Sequence, residues 1–188
     1  IGMMSPVLSG AFFLVKDQQV FLFSDCAVVV EPSADDLFHI AASAVELWNC
    51  VCRSSPSVVF LSFSTKGSAS HPRLNLVRQA CDRFKNKFSQ LVVDGEMQFD
   101  AAFNEQVRQL KASNSSLKNR PSIYLFPNLE AANLGYKIAQ YLGGFQAYGP
   151  ILLGLKSVLC DLSRGASVED IIAAAYISIL RCRKMEKN

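Results

Sequence analysis

The chain has 188 residues, 50% apolar and 19% charged, with a formal net charge of +3. That length suits one well-buried domain with or without an appendage, and no apolar stretch reaches membrane-spanning length. The mild charge forms no basic stripe interleaved with aromatics, which excludes a nucleic-acid binder, and the apolar excess implies surface covered by a partner subunit or an absent domain.

Residues 11–15 and 20–23 are aromatic and β-branched runs around Lys16-Asp17-Gln18-Gln19, a hairpin pattern. Ser33 followed by Asp36 is a capping-box start, and Leu37, Ile40, Ala41, Ala44, Val45 and Trp48 mark that helix's buried stripe. Residues 57–63 predict a strand buried on both faces, since their apolar side chains do not alternate cleanly with polar ones. A second helix starts near Ser70 and Pro72, with Val77, Cys81, Phe84 and Phe88 at helical spacing. Residues 91–93 predict a short strand ending at Asp94-Gly95, and residues 101–110 a single helix. A Ser/Asn-rich loop over 112–120 is closed by Pro121. Residues 123–126 form another core strand, and residues 130–142 a helix stopped by Gly143-Gly144.

A hairpin followed by alternating helix and strand predicts an α/β sheet with helices on both faces. After Pro150 the pattern changes to a short apolar segment, a loop and a final helix from Ser167, so the last part reads as a separate unit. Cations at Arg181, Arg183 and Lys184 suit the end of that helix. The six cysteines, at 26, 50, 52, 81, 160 and 182, show no Cys-x-x-Cys and no zinc spacing. They sit mostly in apolar runs and read as small buried hydrophobes, which fits a reducing cytoplasm. No signal peptide is evident, and a start at Ile1 reads as a piece trimmed from something longer.

The most informative segment is Asp161-Leu162-Ser163-Arg164-Gly165, followed by Ser167 and Asp170. It sets a hydroxyl, a guanidinium and a carboxylate at the mouth of a helix, where anions are favoured and a carboxylate can take a proton. Ser167 and Asp170 equally fit a capping box, and hydrogen bonds to a cap carboxylate lower its basicity. From spacing alone, the cap is the simpler reading.

Ligands in such folds meet the loops at the carboxyl ends of the strands. Ser64, Thr65, Lys66, Gly67 and Ser68 follow one strand, Gln98 closes the loop after another, and Pro127-Asn128 follow a third. A glycine with hydroxyls and a lysine before a helix can cradle an anion, although the spacing is not that of a Walker A loop. Each loop taken alone reads as a turn with a capped helix. His71, ahead of Pro72, reads as a helix-entry residue, and His39 lies beside an apolar stripe.

Taken in order, the stretches carry a resemblance. They are Asp25-Cys26-Ala27-Val28, residues 61–69, residues 93–98 with Asp100-Ala101-Ala102, Phe126-Pro127, Asn133 with Tyr136-Lys137, Gly149-Pro150, and residues 161–165 with Asp170. Together they resemble the carboxyl-terminal part of the phosphate acetyltransferase (phosphotransacetylase) family. The resemblance implies a three-layer α/β/α domain related to the isocitrate/isopropylmalate dehydrogenase-like architecture. Residues 1–149 would be the second α/β/α domain, and residues 150–188 would return to an absent first domain. The implied reaction is acetyl-CoA plus phosphate giving acetyl phosphate plus CoA.

The resemblance further assigns Asp170 as the base and Ser163 and Arg164 as groups that orient phosphate and acetyl and meet the oxyanion. Ser64, Thr65, Lys66, Gly67, Ser68, Gln98 and Asn133 are its expected substrate contacts. Coenzyme A or acetyl-CoA acts as a substrate, with no tightly bound cofactor or metal, and the full-length protein is expected to be a homodimer or higher oligomer. The chain departs from the family's usual wording at Val158-Leu159-Cys160, Asn128, Ala132 and Val29-Val30. Two other functions fit the same domain: a non-catalytic acetyl-CoA sensor, as in malic enzyme fusions, and a butyryl-type phosphate acyltransferase.

Overall fold

The structure, a computed structural model, describes residues 2–185. Strands β1 (Ser9–Lys16) and β2 (Gln19–Ser24) form the expected antiparallel hairpin, with Lys16 opposite Gln19 and Asp17 turning the chain at φ 54°. Helix α1 (Ala34–Val51) begins in the predicted box: the Asp36 N–H donates to Ser33 Oγ, and the Ser33 N–H donates to Asp36 Oδ2. β3 (Ser57–Leu61) stops two residues early, before the exposed Phe63. α2 (Pro72–Lys87) is capped by His71, whose Nδ1 accepts from the Arg73 N–H, with Pro72 in the first turn.

Two elements differ from the sequence reading for identifiable reasons. β4 (Val92–Met97) does not end at Asp94-Gly95 but passes through both. Gly95, at φ 147°, lets the strand run close to Phe60: a Cβ there would lie 2.8 Å from both the Phe60 Cβ and its carbonyl oxygen. The register with β3 shifts beside it, between Phe60 and Leu61. The single helix expected over residues 101–110 is two, α3 (Phe99–Phe103) and α4 (Glu105–Lys111). Asn104 divides them, because its side-chain oxygen accepts from the Gln106 and Val107 N–H groups and so starts a new helix.

β5 (Ile123–Leu125) leads to α5 (Leu129–Tyr141), capped by Asn128, whose Oδ1 accepts from the Ala131 N–H. An asparagine at this point keeps the cap that an aspartate would provide. The short apolar segment that follows is a strand, β6 (Gln146–Leu153), and it runs across the boundary expected at residue 149. β7 (Leu159–Cys160) and α6 (Val168–Met185) complete the chain.

The sheet order is β4-β3-β5-β2-β1-β6-β7. β4, β3, β5 and β2 are parallel, whereas β1, β6 and β7 join antiparallel. Strand alternation divides the side chains between two layers. Phe13, Leu22, Val58, Phe60 and Ile123 face α1 and α2, with Ile177 of α6 in the same cluster. Phe12, Leu14, Phe23, Val59 and Tyr124 face the other way, toward α3 and α5. Fully burying each large apolar side chain is worth roughly 1.5–3 kcal/mol, so both layers hold the sheet flanked by helices. No helix among the described residues is long and apolar enough to cross a membrane.

Candidate active site

Two loop systems flank the sheet, and the structure keeps them apart. The first lies at the carboxyl ends of β3 and β4. There the expected anion cradle already holds an anion from the protein itself. The Glu96 carboxylate accepts from the Gly67 N–H at 2.9 Å and from the Ser64 hydroxyl at 2.9 Å. Arg78 adds Nε at 2.9 Å and a terminal nitrogen at 2.8 Å. Burial alone would push the Glu96 carboxyl up, but these donors reverse the effect and hold it at about 2.

Lys66, in the left-handed region at φ 49°, turns back to pair with the buried Asp94. Asp94 also takes the hydroxyl of Ser115 and the Ser116 N–H, with Lys85 at 3.3 Å. Burial opposes its charge, yet the hydrogen bonds from Lys66, Ser115 and Gly95 hold the carboxyl below its ordinary range. Thr65 and Gln98 hold each other: the Gln98 N–H donates to Thr65 Oγ1, whose hydroxyl donates to Gln98 Oε1 at 3.1 Å. Ser68 Oγ accepts from the Thr65 N–H. Asn133 Nδ2 reaches the Cys26 carbonyl at 3.4 Å. Beside it, Asp25 accepts from the N–H groups of Gly10, Ala27, Val28 and Val29, which fixes the chain leaving β2.

The second system hangs from the far side of the sheet. The Asp161 N–H donates to the Pro150 carbonyl and continues the β6–β7 pairing by one residue. Beyond it, Ser163 and Arg164 are exposed, with the Ser163 hydroxyl accepting only a long 3.4 Å bond from the Gly165 N–H. Asp170 is half-buried at the start of α6. Its Oδ2 accepts from the Ser167 N–H at 2.8 Å, and its own N–H donates to Ser167 Oγ at 3.2 Å. The capping box therefore forms. Tyr148 of β6 stands nearby: burial raises its phenol first, and the charges of Asp170 and Glu169 raise it further. Sequence reasoning did not single out Tyr148, because an aromatic in an apolar run carries no sign of a neighbour 22 positions away.

Past the cap, α6 buries Ile177 and Arg181 against the domain but leaves Ile171, Ile172, Tyr176, Ile179 and Leu180 exposed. The Arg181 guanidinium donates to the Leu152 carbonyl at 2.9 Å and ties the helix to β6. Cys160, where the family's usual asparagine is missing, lies 3.3 Å from the Ser178 hydroxyl. In the sheet order β3 and β7 are five strand positions apart, on the order of 24 Å at the ~4.8 Å spacing of neighbouring strands. The fold brings Asp170 near Tyr148 and Thr65 together with Gln98, but not the two loop systems with each other, while Ser163 and Arg164 lie exposed on the loop before α6. All six cysteines are free thiols, and burial pushes Cys81 up to about 12. Among the described residues no group of three or more His, Cys, Asp or Glu is placed to hold a metal ion.

The fold and loops are those of a phosphotransacetylase. A phosphotransacetylase from Streptococcus pyogenes superposes with a TM-score of 0.90 at 38% identity, covering 96% of this chain and 55% of that one. In sequence, the phosphate acetyltransferase of Paracoccus denitrificans is 45% identical over 162 residues, 86% of this chain and 51% of the relative. That of Bacillus subtilis is 43% identical over 173 residues, 90% and 52% respectively. The pattern of the phosphate acetyl/butaryl transferase family matches residues 4–179, and the chain belongs to that family. It spans about half the length of the curated relatives it matches.

Proposed function

We propose that this chain carries the base-bearing wall of a phosphate acetyltransferase active site, which interconverts acetyl-CoA and phosphate with acetyl phosphate and CoA. Its substrates are coenzyme A, acetyl phosphate and phosphate. The observation that carries the reading is the succession of two exposed groups suited to an anion, Ser163 and Arg164, and a half-buried carboxylate, Asp170, in the first turn of α6.

A thiol of ordinary pKa, ~8.5, is mostly protonated at neutral pH, and only its thiolate attacks well. Asp170 removes the proton from the CoA thiol. The thiolate sulfur forms a bond to the acetyl carbonyl carbon of acetyl phosphate, and the carbonyl electrons move to oxygen. When they return, the bond to the phosphate oxygen breaks and phosphate leaves with that electron pair. Arg164 and Ser163 orient the phosphoryl group and meet the charge on the carbonyl oxygen, the task that fixed donors do best. No cysteine is needed as a nucleophile.

In this reading residues 1–149 correspond to the second domain, and 150–188 both extend its sheet through β6 and turn the apolar face of α6 toward a first domain. The exposed Ile171, Ile172 and Tyr176 support that placement. Ser64–Ser68, Gln98 and Asn133 are proposed as secondary substrate contacts, reached by the extended CoA molecule or from another subunit of a homodimer or higher oligomer. The 188 residues alone, one wall of a cleft, are inactive. The test joins this chain to the first domain of a curated relative and measures phosphate-dependent release of CoA from acetyl-CoA. Activity in the joined protein and none in the chain alone is expected; no activity in the joined protein, with correct folding, overturns the reading.

A further inference from the structure

Where α3 meets α4, ahead of β5, an open cavity of about 620 Å³ is lined by two arginines, Arg108 and Arg120. Arg108 is only 2% exposed. None of the ion pairs among the described residues includes either arginine.

The terminal nitrogens of Arg108 donate only to backbone carbonyls: Ala102 at 2.8 Å, Ala101 at 3.3 Å and Lys118 at 3.4 Å. Its Nε is buried and has no partner among the described residues. Carbonyl dipoles offset a full positive charge without cancelling it, and a guanidinium does not shed its proton in a protein. Buried charges are as a rule paired, because an unpaired one loses its hydration with nothing in return. A buried cation with a donor unspent, on the wall of a cavity, therefore calls for an anion.

Arg120 brings a second cation to the same cavity. Its guanidinium lies 4.3 Å from the ring centre of Phe103, which is also on the lining, and one terminal nitrogen donates to Gln19 Oε1 at 2.9 Å. The fork has further donors beyond that one bond. Asn119 adds a neutral amide to the lining. The one carboxylate on the lining is that of Glu105, which is exposed, so the positive charges outnumber the negative.

We propose that this cavity binds a phosphate-type oxyanion, free or at the end of a larger molecule, between Arg108 and Arg120 with the Asn119 amide beside it. Planar guanidinium forks match the oxygens of phosphate better than point charges do. β3 and β5 are parallel, so a cavity ahead of β5 lies at the opposite end of the sheet from the Ser64–Ser68 loop after β3. Ser163 and Arg164 follow β7 at the far edge, and the site stands apart from the acyl-transfer reaction.

The test titrates the chain calorimetrically with inorganic phosphate, at an ionic strength fixed with sodium chloride. Saturable one-to-one binding is expected, together with a rise in melting temperature that chloride alone does not give. Arg120→Gln, an exposed change, should weaken phosphate about fivefold, and Glu105→Gln should tighten it about threefold by removing the opposing charge. Arg108→Met should abolish binding, and phosphate should no longer raise its melting temperature. Where that variant loosens the domain, the two exposed positions decide. Arg164→Gln should leave the binding unchanged. Glycerol phosphate in place of phosphate tells the sources apart: a tighter ester supports the end of a larger molecule, and a weaker one supports the free ion.

No saturable binding of phosphate up to roughly 10 mM overturns the proposal. Binding that Arg164→Gln removes and Arg120→Gln leaves intact also overturns it, by giving the anion to the acyl-transfer loop. Weaker binding in Glu105→Gln does the same, because an oxyanion site cannot lose affinity when its only carboxylate is neutralised.

Discussion

Arg78 closes on Glu96 with two parallel hydrogen bonds, at 2.9 and 2.8 Å, and the same carboxylate takes the Gly67 N–H and the Ser64 hydroxyl. The glutamate side chain is only 4% exposed, so its charge depends on these four donors. Arg78→Met removes two of them and leaves a nearly buried carboxylate half-paired. A loss of about 3 kcal/mol is expected, at the low end for breaking a buried pair because Arg78 itself is one-third exposed. Denaturant unfolding measures it; a loss below about 0.5 kcal/mol would place the pair with ordinary surface ion pairs.

Acid should unfold the chain through the same carboxylate. Its folded value is about 2, whereas an unfolded glutamate titrates near ~4.3. Between those values the unfolded chain binds more protons, so stability is fully present above the upper one and is lost as pH falls toward the lower. Asp94, also held low, acts in the same direction. Melting temperature should fall steadily from about pH 5 to about pH 2, and Glu96→Gln should flatten that slope while lowering the plateau. A profile that is level from pH 5 to 3 contradicts this.

Gly95→Ala probes the strand that the sequence reading cut short. The new methyl would meet Phe60 at 2.8 Å, on backbone as well as side chain, at a φ of 147° that side chains rarely adopt. Destabilisation of about 2–4 kcal/mol is expected, from strain and overpacking together. Near-neutral stability in a chemical melt would mean that β3 and β4 separate easily there.

Lys66→Ala separates two roles for the Ser64–Ser68 loop. If its hydrogen bonds chiefly build the domain, the variant loses about 1–3 kcal/mol because Asp94 keeps only part of its compensation. If the loop also touches substrate, as proposed, KM for CoA in the joined enzyme rises as well. Melting and kinetics on the same preparation distinguish the cases: a stability loss with unchanged KM removes the loop from the substrate site.

Asp170→Asn asks the corresponding question of the other wall. The amide still offers an oxygen to the Ser167 N–H, so stability should change by less than about 1 kcal/mol. In the joined enzyme kcat should fall about 100-fold or more, the range general-base removal gives, and the residual rate should depend less on pH. Retention of full kcat would leave Asp170 as a cap alone.

Most elements were legible because their signals are local. The Ser33–Asp36 box, Pro72 after His71 and the hydrophobic stripe of α1 each involve residues within a few turns of one another, and each formed. The failures were non-local. Nothing near Asp94-Gly95 announces that Phe60, on another strand, needs a neighbour without a side chain. The strand β6 read as a leftover because its partner, β1, lies at the other end of the sequence. Ser163, Arg164, Asp170 and the Ser64–Ser68 loop stand out as motifs and Tyr148 does not, yet Ser64 and Gly67 face Glu96, and a carboxylate 32 positions from Ser64 leaves no trace in a loop pattern.

The placement of β1 also has a consequence in time. It lies inside the sheet, between β2 and β6, with Ser9 opposite Leu153. As the chain leaves the ribosome, β1 and β2 can pair at once, but the other edge of β1 stays bare until β6 (Gln146–Leu153) has been made. For that interval Phe12, Phe13 and Leu14 sit on a strand with open hydrogen-bonding groups, the arrangement most prone to pairing with the wrong neighbour. Synthesis of this domain is therefore a wait for its last strands, and slowing the ribosome before residue 146 should raise aggregation more than slowing it afterwards.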